Sequence, residues 1–110
     1  RTSSYGYELW RPFFPAYLIL PQQAIMIEAK GRFTKADRDK MLLVKNQWPD
    51  LDIRLVFMSL TAKVTKAMTV ADWAKQHGFP CCKGPAIPAA WLEHKPSKQQ
   101  RAAFDAFVSY

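Results

Sequence analysis

Two short apolar runs flank a single stretch of helical periodicity, and this arrangement constrains the fold more than any other feature of the chain. Residues 24–30, Ala-Ile-Met-Ile-Glu-Ala-Lys, read as a strand closed by Gly31. Thr34 and Asp37 then form a helix-start signal, a hydroxyl at the N-cap with a carboxylate three residues on. The spacing predicts a helix over 35–48 that stops before Pro49. Met41, Val44 and Trp48 recur at helical spacing toward a core, while Lys35, Arg38 and Lys45 fall on another face as a basic stripe. Residues 52–58 follow as a strand, apolar enough in its second half to be buried. Strand, helix and strand in this order predict a β-α-β crossover.

The flanking segments extend that unit. Upstream, residues 5–10 and 17–20 read as two further strands, the second joined to residues 24–30 through Pro21-Gln22-Gln23, short enough for a hairpin. Downstream, Thr69 can cap a helix over 70–77, with Gly78 as its C′ residue. Residues 79–90, with Pro80, Pro85 and Pro88, are expected to be loop, and 97–108 an amphipathic stretch in a loosely ordered tail. The order β-β-β-α-β-α makes an α/β domain with a mixed sheet. At 110 residues there is room for one domain, expected over 1–95, with 96–110 as a C-terminal tail or helix.

Charge and cysteine content narrow the partners. Sixteen Lys and Arg against nine Asp and Glu leave a net charge of +7, the footprint of a protein that meets polyanions. DNA or RNA is the first candidate and an anionic membrane surface the second. The apolar runs are broken by Pro15, Pro21 and Glu28, well short of the ~20 residues that span a bilayer. The basic residues lie beside strand ends and not on one terminal amphipathic helix, which argues against a membrane-surface protein. The front, Arg1-Thr2-Ser3-Ser4, has neither a start Met nor a signal pattern and reads as trimmed. Cys81 and Cys82 are adjacent, so they cannot pair with each other without strain, which fits a reducing, cytoplasmic setting. Zinc finds no four-ligand set, and no Cys-x-x-Cys spacing supports a redox site.

Glu28 and Lys30 carry the strongest chemical signal. Two apart on a strand, they project from one face where the strand runs out into Gly31. A carboxylate there can hold a hard divalent cation. Such an ion polarises a phosphodiester and lowers the pKa of its water, while the lysine orients that water or neutralises charge developing on phosphorus. The plain alternative is a surface ion pair at a strand end. Trp10, Trp48, Trp73 and Trp91 read as core anchors and not as base-stacking platforms. His77 suits a helix C-terminus, and His94 is expected at the surface.

Context gives the Glu-x-Lys pair a direction. Pro15-Ala16, an apolar strand, a short turn and then Glu28-Ala29-Lys30-Gly31 resemble the PD-(D/E)xK nuclease superfamily, whose motif sets Pro-Asp on one strand and Glu-x-Lys on its hairpin partner. A closer resemblance is to the phage endonuclease I family, the four-way (Holliday) junction resolvases of T-seven-like podophages. It runs through Tyr7-Glu8-x-Trp10, Ile27-Glu28-Ala29-Lys30-Gly31, Asp37-Arg38, Leu42-Leu43-Val44 and Pro49-Asp50-Leu51-Asp52-Ile53-Arg54-Leu55-Val56-Phe57. It continues through Lys75-Gln76-His77-Gly78 and Ile87-Pro88-Ala89-Ala90-Trp91-Leu92, and so covers roughly residues 7 to 95.

The resemblance implies a restriction-endonuclease-like mixed sheet flanked by helices, with the family's N-terminal helix lying before Arg1. It makes Glu28 a metal ligand, the Ala29 backbone carbonyl a second one, and Lys30 the catalytic lysine, with Mg²⁺ or Mn²⁺ as cofactor. It also implies branched DNA as partner, a homodimer with one site per subunit, and the cytoplasm of a phage-infected bacterial host. Arg32, Lys35, Arg38, Lys45, Lys63 and Lys66 are the expected phosphate contacts. The chain departs from the family at Ala16, where an Asp is expected, and where an engineered Asp-to-Ala change is one explanation. The stretch between Trp10 and Pro15 is also short for the family. The resemblance also implies a further acidic ligand on the helix before Arg1, so with no carboxylate at position 16 two acidic groups are missing and the chain is expected to be catalytically crippled. Two alternatives stay open: a homing or nicking endonuclease of the same fold, and a nuclease-like DNA-binding module without activity.

Overall fold

A parallel pair of strands runs through the centre of the molecule, a computed structural model that describes residues 17–109. In chain order the elements are β1 (Tyr17–Leu20), β2 (Ile25–Lys30), α1 (Lys35–Gln47), β3 (Asp52–Phe57), β4 (Lys63–Thr65) and β5 (Met68–Thr69). They continue with α2 (Val70–Gln76), β6 (Cys81–Lys83), α3 (Ala89–Leu92) and α4 (Lys98–Val108). The main sheet has the order β1-β2-β3-β6; β1 is antiparallel to β2, while the β2-β3 and β3-β6 pairs are parallel. This is the mixed α/β sheet that the strand-helix-strand pattern predicts. The expected strand over 5–10 lies outside the described residues.

Alternation along the strands sorts the core onto two faces. Met26, Ile53, Leu55 and Phe57 meet Met41 and Val44 of α1, Val70, Trp73 and Ala74 of α2, and Phe104 and Phe107 of α4. Ile25, Ile27 and Val56 point the other way, against Trp91 of α3. Every residue of β3 is buried, as expected of a central strand covered on both sides.

Helix starts follow the sequence closely. Thr34 and Thr69 close capping boxes with Asp37 and Asp72, and Gly78 takes φ +78° after α2, where a Cβ would be strained. Ser97 closes a third box with Gln100, so residues 97–108 form an ordered helix and not a loose tail. Phe107 meets Trp48 edge to face at 5.4 Å. Arg101 also donates to the carbonyls of Pro21 and Gln22, both at 2.8 Å, which ties α4 to the turn before β2.

The expected loop over 79–90 is corrected by the structure: it contains β6 and the short α3. Cys81, Cys82 and Lys83 complete the free edge of β3 at Leu55, Val56 and Phe57. Three residues between prolines carry no strand signal of their own; the pairing partner makes the strand. On this strand Cys81 packs toward one core and Cys82 toward the other, and burial raises both thiols above their ordinary pKa. Residues 63–69, which carry Lys63 and Lys66, form the β4-β5 hairpin.

Candidate active site

Strand β2 sinks its first half and lifts its end toward solvent: Ile25 through Glu28 are buried, Ala29 is exposed and Lys30 lies between. Glu28 pairs in register with Tyr17 on one side and Leu55 on the other, so its carboxylate emerges from the middle of the sheet. Period-two geometry places it beside Lys30. Glu28 is 1% exposed, and its Oε2 lies 3.1 Å from Lys30 Nζ. Its Oε1 is buried and, among the described residues, accepts no hydrogen bond. A buried carboxylate oxygen left without a donor is costly unless a further group completes it.

Helix α1 brings a second acid to the same lysine. Asp37, in the first turn, lies with Oδ1 3.5 Å from Lys30 Nζ. Its Oδ2 accepts from the backbone N–H and the hydroxyl of Thr34, both at 3.0 Å. The two carboxylates titrate apart. Burial drives Glu28 up to about 7, against the pull of Lys30 and with some help from the negative Asp37. Burial also pushes Asp37 upward, but the Thr34 hydrogen bonds and the Lys30 ammonium outweigh it and hold Asp37 below its ordinary value. Near neutral pH the site thus pairs an ionised acid with one poised to gain or lose a proton, a combination concentrated at functional sites.

The basic residues divide between the two ends of α1. Arg32 and Lys63 line one cleft, shared with Gly31, Thr34 and Ser59, just beyond the ends of β2 and β3. In open α/β sheets, ligands bind beyond the carboxyl ends of the strands. Lys66 sits in the β4-β5 turn, where its carbonyl accepts from Lys63 Nζ at 3.2 Å. Lys35 is exposed and pairs with Asp39 at 2.9 Å. Arg38 donates to the Phe33 carbonyl at 2.7 Å, closing the loop that leads into α1. Lys45, ten residues beyond Lys35 and so about 15 Å along the helix, lies over the Phe79 ring at 4.9 Å, away from Glu28. Ala16 lies outside the described residues and directly precedes Tyr17, the register partner of Glu28.

A second polar cluster went unread in the sequence. At the start of β3, Arg54 grips Asp52 through two hydrogen bonds of 2.9 and 2.8 Å, and its guanidinium lies over the Trp91 ring at 5.4 Å. His94, expected at the surface, is half-buried. Its Nε2 stands 3.4 Å from Asp52 and 3.1 Å from Gln100 Oε1, because the chain after α3 folds back across the strand ends. The Asp-x-Arg spacing on a strand, the same rule that united Glu28 and Lys30, was the available signal. His77, as expected, ends α2, and its ring lies 4.5 Å from that of Trp73.

The comparisons with known proteins decide the family. A family model described as phage endonuclease I matches residues 11–108. The chain belongs to the phage endonuclease I family. It is 36% identical over 114 aligned residues to endodeoxyribonuclease 1 of Enterobacteria phage T3, an alignment covering 94% of this chain and 72% of that protein. It is also 36% identical over 83 residues to endonuclease I of Escherichia phage T7, covering 74% of this chain and 54% of that relative. Both β2, with Glu28 and Lys30, and the β3 block with Asp52 and Arg54 fall inside the matched family region. No helix among the described residues of this family member is long and apolar enough to cross a membrane.

Proposed function

We propose that this chain is a metal-dependent DNA endonuclease of the junction-resolving kind, acting as a homodimer on four-way or otherwise branched DNA. One observation carries the reading: Glu28 is buried at the sheet centre with one oxygen on Lys30 and the other unpartnered among the described residues. Family membership supplies the reaction class, since the matched relatives are named as an endodeoxyribonuclease and an endonuclease.

The unpartnered Oε1 fits a hard cation, and Glu28 with the Ala29 backbone carbonyl would hold Mg²⁺ or Mn²⁺. Bound there, the ion supplies polarisation of the phosphodiester and a water of lowered pKa. The protein's own part is positioning and charge. Hydrolysis forms a bond from a water oxygen to phosphorus and breaks the bond to the leaving sugar oxygen, while negative charge grows on the phosphoryl oxygens. Lys30 carries its ammonium beside that charge. Arg32, Lys35, Arg38, Lys63 and Lys66 contact backbone phosphates around the strand ends, with Lys45 at the outer margin of the footprint.

Among the described residues no three His, Cys, Asp or Glu side chains gather as a metal cluster. The reading therefore includes position 16, where alanine stands in place of the expected aspartate; the chain as it stands binds DNA and cuts it poorly or not at all. Ala16 also favours a second reading, a nuclease-like binding module with no activity in any form.

Binding and cleavage of a fixed four-way junction, against linear duplex of the same sequence, separate the two. Preferred junction binding in Ca²⁺, with cutting in Mg²⁺ by the Ala16→Asp chain, supports the resolvase. Equal binding to both DNAs with no cutting by either protein leaves the binding module. Preference for one duplex sequence over the junction would indicate a homing or nicking enzyme.

A further inference from the structure

Among the described residues three helices start with the same capping box, and of their N3 side chains only that of α1 also touches a lysine at the candidate site. In α2, Asp72 accepts the Thr69 N–H at 3.0 Å and is otherwise exposed. In α4 a neutral side chain suffices, Gln100 accepting the Ser97 N–H at 3.0 Å. In α1, Asp37 performs the same capping with Oδ2 alone and extends Oδ1 to Lys30. A negative charge at N3 is thus not needed to close a box in this fold, and the charge of Asp37 has a further role. Lys30 has a flexible four-carbon stem and a point charge with no built-in direction. Glu28 at 3.1 Å and Asp37 at 3.5 Å hold that ammonium at two points, one on the sheet and one on the helix.

We infer that Asp37 is a positioning residue for Lys30, its helix-capping carboxylate locking the ammonium over the end of β2 for phosphodiester cleavage. Its role in cleavage rests on the reading of Lys30 as the catalytic lysine; the positioning itself does not.

The test uses two variants and two readouts. Asp37→Asn keeps an acceptor for the Thr34 N–H and removes the charge, whereas Thr34→Ala weakens the cap and keeps the charge. In ¹⁵N-labelled protein, with the Lys30 ammonium signal assigned through Lys30→Arg, that signal is expected to be slowly exchanging in the chain as it stands. Thr34→Ala should lower Tm and keep the signal; Asp37→Asn should lose it while remaining folded. In the Ala16→Asp chain, Asp37→Asn should lower kcat on the junction by roughly ten- to a hundredfold, with KM and junction affinity in Ca²⁺ unchanged. An ammonium signal unaltered by Asp37→Asn, or lost equally in Thr34→Ala, overturns the inference, as does a lost signal with unchanged kcat. An Ala16→Asp chain that never cuts overturns the functional reading instead, while the ammonium signal still decides whether Asp37 holds Lys30.

Discussion

The two ends of the central parallel strands carry the same construction put to opposite uses. Asp52 and Arg54 at the start of β3, and Glu28 and Lys30 at the end of β2, are both acid-base pairs two residues apart on a buried strand. At the first end the planar guanidinium meets both oxygens of Asp52, and the surrounding ring and imidazole close the cluster. At the other end a single ammonium is shared between two carboxylates, and one buried Glu28 oxygen has no partner among the described residues. A satisfied pair is part of the scaffold. The other leaves a buried acceptor open among the described residues, and the proposed metal site rests on that difference.

The largest effect should come from breaking the satisfied pair. Asp52→Ala leaves the Arg54 guanidinium buried without its partner, and urea unfolding should show a loss of about 3–5 kcal/mol. A loss below about 1 kcal/mol would erase the contrast between the two ends. Glu28 should behave in the opposite sense. Its folded pKa, about 7, lies above the 4.5 expected when unfolded. As pH rises from 4.5 the unfolded chain releases this proton first, so stability in metal-free buffer should fall until about pH 7, by up to ~3 kcal/mol in all, and then level off. Glu28→Gln should remove that slope; parallel curves for the two proteins between pH 4.5 and 7 would refute the assignment.

A smaller effect tests the open valence itself. In the Ala16→Asp chain, Ca²⁺ at ten times its Kd should add about 1.4 kcal/mol to stability, and the same addition should do nothing once Glu28→Gln is introduced. Equal stabilisation of both would place the ion elsewhere. The smallest effect concerns the cleft. Arg32→Ala and Lys63→Ala should each lower the salt dependence of DNA binding by about one unit of slope, and Lys45→Ala, over Phe79, by less. A larger change at Lys45 would move the DNA footprint to the far end of α1.

What could be read from the chain alone was local. Periodicity and the Thr34 box located α1, the apolar runs located β2 and β3, and two-residue spacing on a strand was enough to put Glu28 beside Lys30. Each of these depends on groups within a few residues of one another, where backbone geometry dictates who can meet. The capping role of Asp37 was legible for the same reason, but its reach to Lys30 was not, because the loop over 31–34 decides how α1 sits on the sheet.

The remaining features depended on partners distant in sequence. Strand β6 exists because β3 offers a free parallel edge, and nothing in Cys81-Cys82-Lys83 announces it. His94, itself bonded to Gln100, reaches Asp52 only after the chain has turned back across the strand ends, and Arg101 finds the carbonyls of Pro21 and Gln22 some eighty residues away. The raised pKa of Glu28 was likewise beyond the sequence, since its main cause is burial, which only the folded chain creates. Sequence by itself determined α1, β2 and β3, the paired acid and lysine, and the family they resemble, because those reside in spacing and residue type. Tertiary structure decided which polar group is satisfied and which is left open, because burial and hydrogen-bond completion are set by segments that meet only when the chain folds.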